Sequence, residues 1–385
     1  MLVVTSASGM LASVVISRAL GPTGRGLITT LIVWSQLIGW IAAFSLDKAV
    51  VVLSQSDRDD RVEVTPLFAM ARRYIAMLAV PTAGLSIGIG GLLFHDWIWS
   101  AMLALGAVAT SFGEIGAGWL LASKKMGWFI LYRAFQPALY MVSVVIFAFL
   151  LRGHSYSVRL NAMAVSVIFS LVVPVVIVHI RAPFELKERI DGRRMRAFAA
   201  TTQLANAMQY LNNRLDILCL SIFSTPEQVG IYAVGLAAGQ AAVVLGTAGI
   251  VRGITGSSKS MDRIGVAWTL LLGVVIAALS PLIIPFVFGS AFEASVHVAQ
   301  ILGIGASVNY ALQSTDGRLL GAGKPSLVAI AEAAGAAAFG IGIAISLNLE
   351  VVALADVGSY AVSLIIAQNF LYRSGIGRGA NTEES

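Results

Sequence analysis

The sequence predicts an all-α polytopic membrane protein of about twelve transmembrane helices in two parallel six-helix lobes, and three observations carry the prediction. First, the 385 residues are 57% hydrophobic and only 12% charged, with a mean hydropathy of +0.84; a soluble domain is about a quarter charged. Second, apolar runs recur along the whole chain at the length of about 20 helical residues that a hydrocarbon core of about 30 Å requires. Third, Lys and Arg alternate in density between successive connections, as they do when every run crosses the bilayer.

In chain order the runs are 1–20, 27–53, 67–94, 97–122, 127–151, 160–180, 197–224, 229–254, 264–288, 292–321, 325–347 and 350–372. The first lacks a basic lead and ends in Arg18 and Gly21-Pro22 rather than a small-residue cleavage site, so it reads as a span and not as a signal peptide. Asp47 and Lys48 close the second span and Arg72 and Arg73 open the third, where long side chains reach the interface. Pro81, Pro137, Pro174, Pro281 and Pro285 lie within spans and are expected to kink them. Trp97 and Trp99 at one end of the fourth span, Trp119 near its other end and Trp128 at the start of the fifth read as interface anchors. The lone cysteine, Cys219, lies in the seventh span, so no intrachain disulfide is available.

Connections after even-numbered spans, with their flanking turns, hold 21 of the 26 Lys and Arg residues. Those after odd-numbered spans hold Arg18, Arg25, Arg152 and Arg159, and Arg214 lies inside a span. This asymmetry places both termini in the cytoplasm. The net charge of +6 then reflects topology and anionic lipid head groups, with no call for nucleic acid.

The chain also repeats. At an offset of 204 residues Leu11, Ser17, Pro22, Gly26 and Gln36 superpose on Leu215, Ser221, Pro226, Gly230 and Gln240, so the first two spans match the seventh and eighth. At an offset of 199, Gly118, Leu120, Leu121 and Lys125 superpose on Gly317, Leu319, Leu320 and Lys324. Six spans per repeat give both halves the same orientation, a parallel repeat about an axis along the membrane normal, an arrangement in which transporters place substrate near the midplane at the repeat interface. The expected organisation is a lobe over 1–180, a cytoplasmic linker over 181–196, a second lobe over 197–372 and a cytoplasmic tail over 373–385. In the linker Phe184, Leu186, Ile190 and Met195 interleave with charge, which suits a segment lying on the interface as well as a solvated loop. In the repeat frame Met1 superposes on Ala205, so 197–204 and the basic lead Arg193, Arg194 and Arg196 have no counterpart in the first half, whose opening span is expected to be shorter by those turns.

The seventh span carries the candidate site. At 100° per residue Gln203, Asn206, Tyr210, Asn213 and Arg214 fall within roughly a third of a helix circumference, forming one polar stripe. Ionisable groups at membrane depth are costly and face a bundle interior or a water-filled cavity. Asp216 points to another face of the same helix, where it either completes a buried hydrogen-bond network with Asn212 or binds a proton or sodium ion. Glu114 and Arg133 lie at matching depths of adjoining spans; in the second half Glu332 stands where Arg133 does and Arg318 lies near the end of its span, with the signs exchanged. These four residues are either a gate or coupling site or satisfied pairs within each half.

Several motifs resemble a known family. Ser17-Arg18-Ala19-Leu20-Gly21-Pro22-Thr23-Gly24-Arg25-Gly26, followed by a span ending in Ser45-Leu46-Asp47-Lys48-Ala49, resembles the opening of Wzx-type oligosaccharide and polysaccharide flippases. These belong to the multidrug/oligosaccharidyl-lipid/polysaccharide exporter superfamily. Asn213-Arg214-Leu215-Asp216-Ile217-Leu218 with Val229-Gly230-Ile231-Tyr232-Ala233 resembles the start of the family's second lobe, and Leu282 to Phe288 with Gly289, and Leu319-Leu320-Gly321-Ala322-Gly323-Lys324, fit its later spans. The resemblance implies a MATE-like bundle that flips a polyprenyl-diphosphate-linked oligosaccharide across a bacterial-type cytoplasmic membrane during surface polysaccharide biosynthesis. H+ or Na+ as a coupling ion and other polysaccharide-assembly proteins as partners are compatible with this frame, and no cofactor is expected. In that frame Arg214 would hold the diphosphate by two hydrogen bonds. The chain departs from an even division of labour, because Met10, Gly9 and Ala12 stand in the first half where Arg214, Asn213 and Asp216 stand in the second.

Two alternatives compete. A cation-coupled exporter of small drugs shares the fold, but it usually places a coupling carboxylate in the first lobe's cavity, and the first span has no acidic residue. A membrane sugar polymerase or ligase needs a large outer loop with catalytic groups, whereas the longest odd-numbered connection, 152–160, is about nine residues. Arg318 to Lys324 lacks the first glycine of a phosphate loop, and His95, His154, His179 and His297 share no metal-ligand spacing, so the chain is expected not to be an enzyme.

Overall fold

The computed structural model describes residues 2–55, 64–181, 192–250 and 259–374. Every described element is helical, and the chain divides into two compact units, Met1–Gln203 and Leu204–Ser385.

In the first unit α1 (Leu2–Ala43) takes up the first expected span and most of the second. The connection anticipated at 21–26 is not a loop. Gly21 alone leaves helical geometry, at φ 67° and ψ −172°, and Pro22 starts the next helical turn. Glycine supplies the positive φ without a Cβ clash, and proline suits a first turn because its missing N–H would have no partner there. The helix then breaks at Phe44 and Ser45, both with φ near 50°, before α2 (Leu46–Gln55). The remaining helices are α3 (Val64–Phe94), α4 (Trp97–Ala122), α5 (Met126–Leu150) and α6 (Tyr156–Arg181). Asp96 caps α4, its carboxylate accepting from Ile98 N at 2.7 Å.

Two apolar clusters hold this unit. One gathers Phe68, Ile75, Ile115 and Trp119, with Met195 and Ala199 from the first turns of α7 (Gly192–Asn212). The other gathers Ile16, Ile28, Leu31, Leu103 and Val167. The outward faces are as apolar as the inside: on α5 only Ser143 and Val144 are buried, while Leu131, Ile146, Phe149 and Leu150 are exposed. A helix apolar all round has hydrocarbon for solvent on its open face. Eight of the described helices are long and apolar enough to cross a membrane, and the protein is multi-pass.

The division between the units falls within α7. The second unit continues with α8 (Leu215–Phe223), α9 (Pro226–Ile250), α10 (Lys259–Val287), a 3₁₀ turn at Ser290–Phe292, α11 (Ser295–Gly321), α12 (Pro325–Ile343) and α13 (Leu349–Arg373). Glycine permits a close helix approach here, since a Cβ on Gly273 of α10 would strike the carbonyl oxygen of Gly303 on α11. Of the expected linker, 182–191 lie outside the described residues, as do 375–385 of the tail.

The sequence repeat has a backbone counterpart. Lys124 N donates to Leu121 O and Lys125 N to Leu120 O, each at 3.0 Å; Gly323 N donates to Leu320 O and Lys324 N to Leu319 O, also at 3.0 Å. Both turns place one residue in the left-handed region, Lys124 at φ 57° and Gly323 at φ 71°. The repeated leucines thus end α4 and α11 with the same carbonyl-satisfying cap.

Candidate substrate and coupling site

The seventh span is not one helix. α7 ends at Asn212, α8 begins at Leu215, and Arg214 between them has φ −136° and ψ 4°. Asn213 covers the end of α7, its backbone N and side-chain Nδ2 both donating to Gln209 O, at 3.1 and 2.8 Å. The first half behaves differently at the matching place, since α1 runs unbroken through Gly9 and Met10.

This break redraws the polar stripe. Gln203, Asn206 and Tyr210 share α7, whereas Asn213 and Arg214 lie beyond its end, so a single helical wheel cannot relate all five. Gln203 is engaged within the first unit: its Oε1 accepts from Ser45 Oγ at 2.8 Å and its Nε2 lies 3.4 Å from the carbonyls of Trp40 and Ile41. Tyr210 is buried, and Arg214 and Asn206 are half-buried.

Arg214 instead overlooks a group of buried polar side chains. Asp216 on α8 and Asp356 on α13 are buried, as are Tyr232 on α9 and Tyr360 on α13, and the Arg214 guanidinium is near enough to act on both carboxylates and on Tyr360 and Tyr210. Asp216 Oδ1 accepts from Ile217 N at 2.7 Å, but its Oδ2, both carboxylate oxygens of Asp356 and the Tyr232 hydroxyl have no hydrogen-bond partner of normal geometry. Beside them Asp356, Tyr360, Asn309 and Gln240 border a crevice of about 20 Å³, about the room one water-sized ligand occupies.

In the last turn before the break lies a second polar group. Asn212 Nδ2 donates to Glu332 Oε2 on α12 at 2.5 Å and to Ser363 Oγ on α13 at 3.3 Å. Ser363 Oγ in turn donates to Ala331 O at 3.0 Å. Gln209 Nε2 donates to Asp316 Oδ2 on α11 at 3.3 Å, and the Asp316 and Glu332 carboxyls adjoin. Asp316 Oδ1 and Asn212 Oδ1 are buried without a partner. Glu332 is therefore bonded to an amide and a hydroxyl rather than to a basic residue, and Arg318 lies exposed in the last turn of α11.

In the first unit Glu114 and Arg133 meet as the depth argument expects. Arg133 NH2 donates to Glu114 Oε2 at 2.8 Å and NH1 to Oε1 at 3.0 Å, a two-pronged pair. Arg25 was expected in an outer connection, but the continuity of α1 turns it into the bundle beside Tyr140, and its Nε and the Tyr140 hydroxyl are buried without partners.

Four residues of the second unit were not singled out from sequence: Asp316, Asp356, Tyr232 and Tyr360. The two aspartates sit inside apolar runs, the very signal that marked Arg214. The tyrosines carry no such signal, because aromatic residues are ordinary in membrane helices.

These helices bury carboxylates with few partners while exposing apolar flanks, the pattern of a membrane protein with a polar interior. No protein-family model matches the sequence, and no curated protein matches it. Its fold is that of solved transporters of the MOP superfamily. An inward-facing MATE family multidrug resistance transporter of that superfamily superposes with a TM-score of 0.68 at 14% identity, covering 97% of this chain and 96% of the other. The lipid II flippase MurJ in an inward closed conformation gives 0.66 at 12% identity, covering 96% and 85%. A MATE in its straight conformation gives 0.64 at 15% identity, covering 97% and 93%.

Proposed function

We propose that the chain is a flippase that moves a polyprenyl-diphosphate-linked oligosaccharide across the cytoplasmic membrane by alternating access, for assembly of surface polysaccharide. The observation that carries the reading is Arg214 at the break between α7 and α8, a half-buried guanidinium beside buried carboxylates inside a MOP-type fold. A guanidinium can bind a diphosphate at two points, and a helix break leaves its side chain unconstrained by a helical face. The Wzx-like motifs around Arg214 and the superposition on a lipid II flippase both favour a lipid-linked substrate. In this reading 1–180 and 197–372 are the two lobes, 181–196 is the cytoplasmic linker, 373–385 is a cytoplasmic tail, and Asn213, Tyr210, Asn206 and Gln203 contribute to the polar path.

Coupling to H+ or Na+ belongs to the same proposal. Asp216 and Asp356 share one buried neighbourhood and Asp316 and Glu332 another, and carboxyl groups set side by side away from water need a positive partner, which a proton or a small cation supplies. Arg214 borders the first pair, so changing its charge state changes the field on the arginine that is to hold substrate.

A second reading, a cation-coupled drug exporter, is favoured by the MATE superpositions. The deciding experiment places the purified chain in vesicles and follows a fluorescent polyprenyl-diphosphate disaccharide with an impermeant quencher, alongside uptake of a cationic dye. Loss of inner-leaflet protection for the lipid is expected, with no dye movement; dye transport without lipid flipping would replace the first reading by the second. For sidedness, an impermeant thiol reagent added outside intact cells should label cysteines at His95 and Ser155 and spare one at Lys125; the opposite pattern would invert the topology.

A further inference from the structure

Beyond that function, the first unit carries an apolar groove that the proposed substrate path leaves unused. A groove of about 440 Å³ runs between the end of α4, α5 and the last two turns of α6. Its walls are apolar, with Leu131 and Phe135 from α5 and Pro174 and Ile177 from α6. Leu131 is 54% and Phe135 37% exposed, so the groove opens sideways.

Charge is confined to one end. Lys125, at the start of α5, sets its Nζ 4.8 Å from the Trp119 ring, and Arg181, the last residue of α6, sets its Cζ 5.4 Å from the Trp128 ring. Both cations line the groove and are exposed. Neither is within salt-bridge distance of a carboxylate among the described residues. Ring faces steady the two cations without consuming their N–H donors, which remain free for an anion.

The dimensions choose the occupant. From Lys125 to Phe135 is ten residues of helix, about 15 Å, and one leaflet of hydrocarbon is half of about 30 Å. The groove therefore spans from head-group level to the bilayer midplane, the depth of a single fatty-acyl chain. A polyprenyl carrier is far longer and bulkier than such a groove. The charged end lies where Lys and Arg concentrate along the chain, and in the cytoplasmic leaflet such positions attract anionic lipid.

We propose that this groove binds one anionic phospholipid of the cytoplasmic leaflet, its phosphate between Lys125 and Arg181 and one acyl chain along Leu131, Phe135 and Ile177. Such a lipid would tie the start of α5 to the end of α6, which no described side-chain hydrogen bond joins.

The test uses the full chain in phosphatidylcholine vesicles doped with phosphatidylglycerol or phosphatidylcholine bearing brominated acyl chains, read by tryptophan fluorescence. Brominated phosphatidylglycerol should quench at a several-fold lower mole fraction than brominated phosphatidylcholine. The preference should shrink in Lys125→Gln and in Arg181→Gln, vanish in the double variant, and lose most of its amplitude in Trp128→Phe. All three positions are exposed, so folding is checked simply by unchanged helicity and monodispersity. Identical quenching by the two lipids, or a preference that survives in the double variant, would overturn the proposal. Inorganic phosphate should leave the preference intact; displacement by it would mean an ion site without a lipid chain. Displacement of phosphatidylglycerol by equimolar polyprenyl phosphate would make the groove a carrier site and equally refute the assignment.

Discussion

Asn212 donates its side-chain amide to Glu332 at 2.5 Å, binding the last residue of α7 to α12 immediately before the chain breaks at Arg214. The same amide reaches Ser363 on α13, so one asparagine fixes where α7 stops relative to two other helices of its unit. Four residues later Asp216 is anchored to Ile217 N, inside the neighbourhood of Asp356. The break is thus held on both sides by buried acidic groups, and Arg214 lies between them. Any proton or cation that occupies one group acts on a point where backbone hydrogen bonding is already interrupted.

Glu332→Gln tests that connection. Glutamine keeps the size and the acceptor for Asn212 while removing the charge, so stability should change by less than about 1 kcal/mol, whereas Glu332→Ala leaves the Asn212 amide with Ser363 as its remaining acceptor, at a cost of about 1–3 kcal/mol. Transport by Glu332→Gln should no longer respond to an imposed pH or Na+ gradient. A Gln variant that retains the wild-type gradient response would remove Glu332 from coupling.

The pair in the first unit makes a separable prediction. Arg133→Gln leaves Glu114 without its two-pronged partner and should lower stability by about 2 kcal/mol, and Glu114→Gln in the same chain should recover about half of that. Thermal unfolding in detergent reads both values. A double variant no more stable than Arg133→Gln alone would mean that charge pairing does not hold α4 to α5.

Lys124 and Gly323 occupy the same step of two matched turns, and only one of them is the residue the geometry favours. Lys124→Gly should stabilise by about 1 kcal/mol, because a side chain in the left-handed region costs about 1–2 kcal/mol. Gly323→Ala should destabilise by a similar amount. Equal and negligible effects at both positions would show that the turns relax to other conformations.

These turns also mark what was legible beforehand. The repeated Gly, Leu and Lys residues announced two equivalent hairpins, and the caps they form depend on local chain geometry alone. Apolar run length likewise located the helices. What the sequence hid was local continuity: 21–26 reads as a loop, yet one glycine takes up the whole turn, and 197–224 reads as one helix, yet it breaks at Asn213 and Arg214 with neither glycine nor proline to announce it. Tertiary hydrogen bonds from α7 to Glu332, Ser363 and Asp316 accompany that break, and no short-range pattern encodes them. Asp316 and Asp356 were visible as acids in apolar runs, but their convergence with Glu332 and Asp216 needs the fold.

Arg214 offers the sharpest separation of function from structure. Arg214→Ala should reduce flipping of the lipid-linked disaccharide at least about tenfold with abundance near wild type, and Arg214→Lys should restore only part of it, because an ammonium lacks the paired geometry of a guanidinium. The competing account makes the arginine a counter-charge for Asp216 and Asp356. Removing it would then leave buried acids uncompensated, lowering the amount of folded protein, and Asp216→Asn in the same chain would restore abundance and activity together. Substrate binding predicts that the double variant folds but stays inactive. An abundant Arg214→Ala protein that flips at the wild-type rate would exclude Arg214 from both roles.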